Sequence, residues 1–173
     1  SIRRFLAQIT RHQNEVKFMS ASLQYSDYSD NGDFVIPYSI LGTKMEQKFV
    51  TDCSAMMREY KNFAKKYDND SAGYLAPQSL RNILVISATP YQWKHMIKQR
   101  ICRRNTDETR YVMLKCWEVL RSYDSYGLFN DCFPDWCKEG KMSCGNPFDK
   151  TTTPSIILRT DFHKIYELED KDE

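Results

Sequence analysis

Between Met45 and Tyr67 the apolar residues Phe49, Cys53, Met56, Met57, Tyr60, Phe63 and Ala64 recur three and four apart, with charged residues between them. Side chains return to the same face about every 3.6 residues in a helix and every two in a strand, so this spacing predicts one long amphipathic helix. A helix with one dry face needs something to cover it. The chain is therefore expected to build its core around helices, with any sheet added to them.

Other segments give weaker signals. SIRRFLAQITRH places Ile2, Phe5, Leu6 and Ile9 at helical spacing and predicts a first helix whose polar face ends in Arg11 and His12. DFVIPYSI reads as a short strand stopped by Pro37. YDNDSAGYLAPQ breaks the long helix, and LRNILVISAT, apolar up to Pro90, reads as a passage into a strand. Helical spacing returns from Tyr91 to Ile101, pauses at RRNTD, and resumes from Glu108 to Ser122. Beyond Gly127 the period is lost, which predicts an ordered loop. SIILRTDFHKIYELE alternates enough to suggest a strand, and the charged end DKDE is expected to fray.

The 173 residues are 41% hydrophobic and 28% charged, too apolar for a disordered chain. They are expected to form a single domain over 1–173, with 146–173 as a C-terminal tail. Lys plus Arg number 25 against 23 Asp plus Glu, a formal charge of +2, which argues against a protein that coats a polyanion. No run reaches the roughly eighteen apolar residues of a membrane span, and the first residues lack a signal-peptide cleavage pattern. A cytoplasmic protein without a membrane partner is the expectation. The six cysteines are expected as reduced thiols, and no C-x-x-C pair is present to start a zinc site, so no metal is expected.

Two constellations could carry chemistry. Gln8, Arg11 and His12 share one helix face and present an amide, a guanidinium fork suited to phosphate and an imidazole; a solvated helix end is the plainer explanation. Lys94, His95, Lys98, Arg100, Arg103 and Arg104 form a basic face, with Lys94 and Lys98, and Arg100 and Arg104, four apart. Such pairs repel unless an anion or an acidic partner lies between them, and Asp107 and Glu108 are near enough in sequence to serve Arg103 or Arg104. Glycine-rich phosphate loops and the G-x-S-x-G elbow are absent from the sequence.

Several segments, in order, resemble those of the flavin-dependent thymidylate synthases. SIRRFLAQITRH resembles the segment ending in that family's Arg-His-Arg signature, SLQY (Ser22 to Tyr25) its Ser-x-Arg-Tyr, and DFVIPYSI the strand that follows. QSLRNILVISAT resembles the acidic-Ala-Arg-x-x-Leu-Pro segment, with Arg81 at the arginine. YQWKHMIKQRICRRNTDETR resembles the Trp-Arg-His helix leading to Arg-x-Cys-x-Arg-Ala-Gln-Trp-Glu-Ile-Arg, and Arg100, Cys102, Arg104, Glu108 and Arg110 keep its spacing. CKEGKMSCG (Cys137 to Gly145) is similar to the Cys-Pro-Glu-Gly-Lys-Met-Ser-Cys-Gly tail of bacterial members. The departures are Gln13 for the second signature arginine, Met19 and Ser20 for Asn-Glu, Gln24 for the arginine of Ser-x-Arg-Tyr, and Thr89 and Tyr91 for the Asn and Arg before Trp93. The chain also begins at the signature helix, short of the N-terminal segment of such relatives.

The resemblance implies a mixed α/β (α+β) fold, a central mostly antiparallel sheet flanked by helices, assembled as a homotetramer with active sites between subunits. It implies a methyltransferase that converts dUMP to dTMP with methylenetetrahydrofolate, NADPH as reductant and FAD as hydride carrier. Carried over by position, Arg11, His12, Gln13 and His95 are implied as FAD contacts. Gln8, Ser22, Gln24, Arg81 and Arg100 are implied as dUMP contacts, with Arg100 also the catalytic residue. Three alternatives stand beside this reading: a divergent member acting on another pyrimidine nucleotide, a binding or assembly protein that kept the scaffold without the flavin, and nucleic-acid binding by the basic face, for which the overall charge is low.

Overall fold

The computed structural model describes residues 3–21, 33–141 and 143–169, and the chain divides into two compact units, residues 1–11 with 17–87 and residues 12–16 with 88–173. SLQY and the terminal DKDE lie outside the described residues.

In the first unit, α1 (Arg3–Ile9) buries Phe5 and Ile9, four apart, as the spacing predicts, but it ends before Arg11 and His12, so the predicted helix face does not reach them. The main feature is α2 (Met45–Lys66), which covers the predicted helix. Its dry face, Met57 and Tyr60, closes on Ala72, Ala76 and Leu80, with Phe34, Ala64 and Leu75 at the margin. Tyr60 is fully buried, and each such large side chain withdrawn from water contributes about 1.5–3 kcal/mol. The break after α2 contains one more helical turn, α3 (Asn69–Gly73), because the Asp68 carboxylate accepts the Ser71 N–H at 2.7 Å and caps it.

β1 (Val16–Ser20) and β2 (Leu84–Ala88) pair in a two-stranded sheet, and β2 alternates half-buried with exposed residues. The predicted strand DFVIPYSI is corrected to a single antiparallel bridge between Phe34 and Leu80, flanked by bonds from Val35 N–H to Ser79 O and Arg81 N–H to Asp33 O. Pro37 lacks an N–H to continue a ladder, and its carbonyl accepts from Ile40 and Leu41 to turn the chain instead. The mixed helix and strand class is the one observed.

The second unit is built on α4 (Pro90–Arg100) and α5 (Asp107–Tyr123), the two predicted helices with RRNTD as their joint. Thr89 caps α4 by accepting the Gln92 N–H at 3.3 Å, and Pro90 fits the first turn, where no N–H is needed. α5 buries Met113, Leu114 and Trp117, and the Trp117 indole donates to Phe129 O at 2.7 Å. That bond and the edge-on packing of Phe133 on Trp117 hold the loop after Gly127 against the helix, so the loop is ordered as predicted.

The predicted strand in SIILRTDFHKIYELE is corrected to two helices, α6 (Pro154–Asp161) and α7 (His163–Glu169). Thr153 accepts the Ile156 N–H and Pro154 opens the first turn, a start signal that overrides the β-branched pair Ile156 and Ile157. Ile157, Leu158 and Phe162 are then buried at helical spacing. At the end of α6 the Asp161 carboxylate meets two guanidinium groups. Arg103 reaches it through two bonds of 3.1 Å, and Arg110 donates to it from the other side. Burial raises the Asp161 pKa, but the hydrogen bond from Arg103 and the charges of Arg110 and Arg103 outweigh it and hold the carboxyl below its usual value.

Arg110 is only 6% exposed, so removing its partner leaves a buried charge unpaired. Asp161→Ala is expected to cost about 3–5 kcal/mol in urea unfolding. Since the folded-state pKa of Asp161 lies below the unfolded one, its contribution is present above the ordinary carboxylate pKa and lost as pH falls through the folded value. The stability gap between parent and variant should therefore narrow in acid, and a gap independent of pH would show that the carboxylate charge is not what stabilises the joint.

Candidate functional site

The two units divide the predicted site residues between them. Gln8, half-buried on α1, exposed Arg11 and exposed Arg81 belong to the first unit, where Arg81 pairs with Asp33 at 3.0 Å. His12, Gln13, His95 and Arg100 belong to the second. Ser22 and Gln24 lie outside the described residues.

Within the second unit His12, His95 and Arg100 come together. The short segment His12–Val16 is tied to both ends of α4: Arg100, its last residue, donates from Nε to His12 Nε2 at 3.0 Å, and Thr89, its cap, donates to Glu15 at 3.4 Å. Glu15 makes the turn of this segment with φ of 54°, the left-handed region. The His95 ring stands edge-on to His12 with centroids 5.7 Å apart. Thr89, a departure from the family pattern, thus serves as both helix cap and anchor. Gln13 is exposed beside this cluster in sequence.

His12 accepts from a guanidinium, which requires its Nε2 to be unprotonated. Burial, the Arg100 charge and His95 lower its pKa from 6.5 to about 4, so at neutral pH the imidazole is neutral and the Arg100 charge stands uncancelled by it. A neutral acceptor holding a guanidinium at a helix end orients that cation without neutralising it. This donor set of one guanidinium and two imidazoles fits a phosphate-bearing ligand.

The rest of the basic face is used inside the unit. Lys94 donates to Leu128 O at 2.8 Å, and Lys98 pairs with Asp135 at 2.8 Å. Arg103 is held by Asp161, Asn146 and Pro147 and lies over the Phe148 ring at 4.2 Å. Asp107, set in the sequence beside Arg103 and Arg104, instead meets Arg110 at 3.6 Å. The acid that serves Arg103 is Asp161, 58 residues away, which local spacing could not reveal. The segment CKEGKMSCG borders a small cleft with Cys102, Arg104 and Trp136, and all six cysteines are free thiols.

The described helices include none long and apolar enough to cross a membrane. By sequence, no curated protein matches the chain. Its fold is similar to thymidylate synthase X from Helicobacter pylori, solved with FAD and dUMP, at 17% identity and a TM-score of 0.60 over 76% of this chain and 68% of that one. A second structure of the flavin-dependent thymidylate synthase from Helicobacter pylori, also complexed with FAD and dUMP, matches at 18% identity and a TM-score of 0.59, covering 77% and 69%. The UMP/dUMP methylase PolB from Streptomyces cacaoi, bound with 5-Br dUMP, matches at 14% identity and a TM-score of 0.58, covering 70% and 63%. The family model described as thymidylate synthase complementing protein matches residues 2–123, well over half of the sequence. The chain thus belongs to the thymidylate synthase complementing protein family, that of the flavin-dependent thymidylate synthases.

Proposed function

We propose that this protein is a flavin-dependent thymidylate synthase that methylates dUMP to dTMP, taking the one-carbon unit from methylenetetrahydrofolate and reducing equivalents from NADPH. The observation that carries the reading is the contact between His12 and Arg100. It joins the segment resembling the Arg-His-Arg signature to the one resembling Arg-x-Cys-x-Arg, two segments 88 residues apart. FAD, when bound, supplies hydride transfer, and Arg11, His12, Gln13 and His95 would hold it. Gln8, Ser22, Gln24, Arg81 and Arg100 would hold dUMP, with Arg100 the catalytic residue that meets the nucleotide. The chemistry of the donor set supports this, since Arg100 offers a cation fixed by a neutral imidazole. A homotetramer with sites shared between subunits, working in the cytoplasm as one domain over 1–173, completes the proposal.

A second reading, methylation of a different pyrimidine nucleotide, is favoured by the likeness to a UMP/dUMP methylase and by the neutral residues Gln13 and Gln24 in arginine positions. Competition of UMP against dUMP for the purified protein separates the two. Tighter dUMP is expected, and preference for UMP would replace the first reading with the second.

Arg100→Ala and Arg81→Ala should each weaken dUMP binding by about 1.5–3 kcal/mol, roughly tenfold to a hundredfold. Arg11→Ala should instead lower the visible flavin absorbance retained after desalting with added FAD. Unchanged dUMP affinity in both of the first two variants, together with full flavin retention in the third, would refute the assignment.

A further inference from the structure

Arg100 ends α4, and the carbonyls around it are not left to solvent. The Asn105 side chain donates to Gln99 O at 2.9 Å and to Cys102 O at 3.3 Å, and Arg110 Nε donates to Ile101 O at 3.3 Å. A helix end has orphan carbonyls, and here side chains from the joint and from α5 tie down those on both sides of Arg100. Ile101 is fully buried, so the backbone at this point has no freedom to drift without breaking the core.

Arg110 can make that bond only if its own position is fixed. Its guanidinium lies 5.2 Å from the Phe162 ring and donates to Asp161, which also grips Arg103 inside the joint. Asp161 ends α6 and Phe162 joins it to α7, in a segment that lies beyond the one matched to the family, residues 2–123. The contacts form one chain: Asp161 to Arg110, Arg110 to Ile101 O, the adjacent Arg100 to His12.

We propose that Asp161 and Arg110 are positioning residues for Arg100, so that the C-terminal end of α6 sets the contact between Arg100 and His12. Their effect on turnover rests on the proposed methylation of dUMP, whereas their effect on geometry can be read without any ligand. His12 reports it. Among the described residues, the charged and titratable groups acting on its imidazole are Arg100 and His95. If Arg100 is let go, its charge moves away and the His12 pKa rises; removing the Asp161 charge directly, with geometry kept, would push it the other way.

The test is a titration of the 173-residue chain labelled at the histidine ring carbons, comparing the parent with Asp161→Asn and Arg110→Lys. The three histidines are assigned by single His→Gln variants. The His12 pKa, lowered to about 4 in the parent, should rise by about half a pH unit or more in each variant that keeps native near-ultraviolet dichroism. Arg110→Lys keeps the positive charge but loses the Nε bond to Ile101 O, and keeps the test decisive if Asp161→Asn does not fold. An unchanged or lowered His12 midpoint in a folded variant overturns the proposal and leaves Asp161 as a staple of the fold alone. A raised midpoint supports it, and it does so even if the parent makes no dTMP, in which case the failure belongs to the proposed function.

Discussion

The pairing of Asp161 with Arg103 and Arg110 fixes much of the second unit. Two guanidinium groups so close would repel each other, and Arg110 is too buried for water to screen the repulsion. One carboxylate, itself 15% exposed at the side chain, satisfies both. Through Arg103 it gathers the Asn146–Pro147 turn, and through Arg110 it reaches the end of α4. A segment that reads in the sequence as a strand within a C-terminal tail therefore closes, as a helix, the unit that carries the histidine and arginine cluster.

That cluster shows how a modest net charge can still provide a cation at a defined place. Of the six basic residues predicted as one face, Lys94, Lys98 and Arg103 serve the fold, bound to a backbone carbonyl or to carboxylates brought by later loops. Arg100 is held differently, by an imidazole that burial keeps neutral. The face thus includes cations that bind the fold and, in Arg100, one that also meets a neutral imidazole. The distinction depends on which group arrives from elsewhere in the chain.

Legibility in the sequence follows the range of the interactions. α2, α4 and α5 could be read because their period is local and long, and Pro90 and Gly127 mark boundaries by backbone chemistry alone. SIILRTDFHKIYELE, 155–169, has the alternation of a strand, but Thr153-Pro154 just before it is a cap and first-turn pair that decides for helix. DFVIPYSI has strand composition but lacks the N–H at Pro37 that a ladder would use, so one bridge is all that forms. In the site, His12 and Arg100 are each legible as candidates from their own constellations, but nothing in their spacing brings them within 3.0 Å. Asp161 had no signal of its own beyond an acid at the end of an amphipathic stretch. Thr89, read as a loss against the family pattern, gains its meaning from Glu15, a partner 74 residues away.

The central claim is that a family scaffold with two signature arginines replaced by glutamine still carries out methyl transfer to dUMP. The most direct measurement is to incubate the purified protein with isotopically labelled dUMP, methylenetetrahydrofolate, NADPH and FAD, and to identify the nucleotide formed. Labelled dTMP, dependent on both FAD and NADPH, is the result the account predicts. Recovery of unchanged dUMP from a folded protein that has bound the flavin would contradict it.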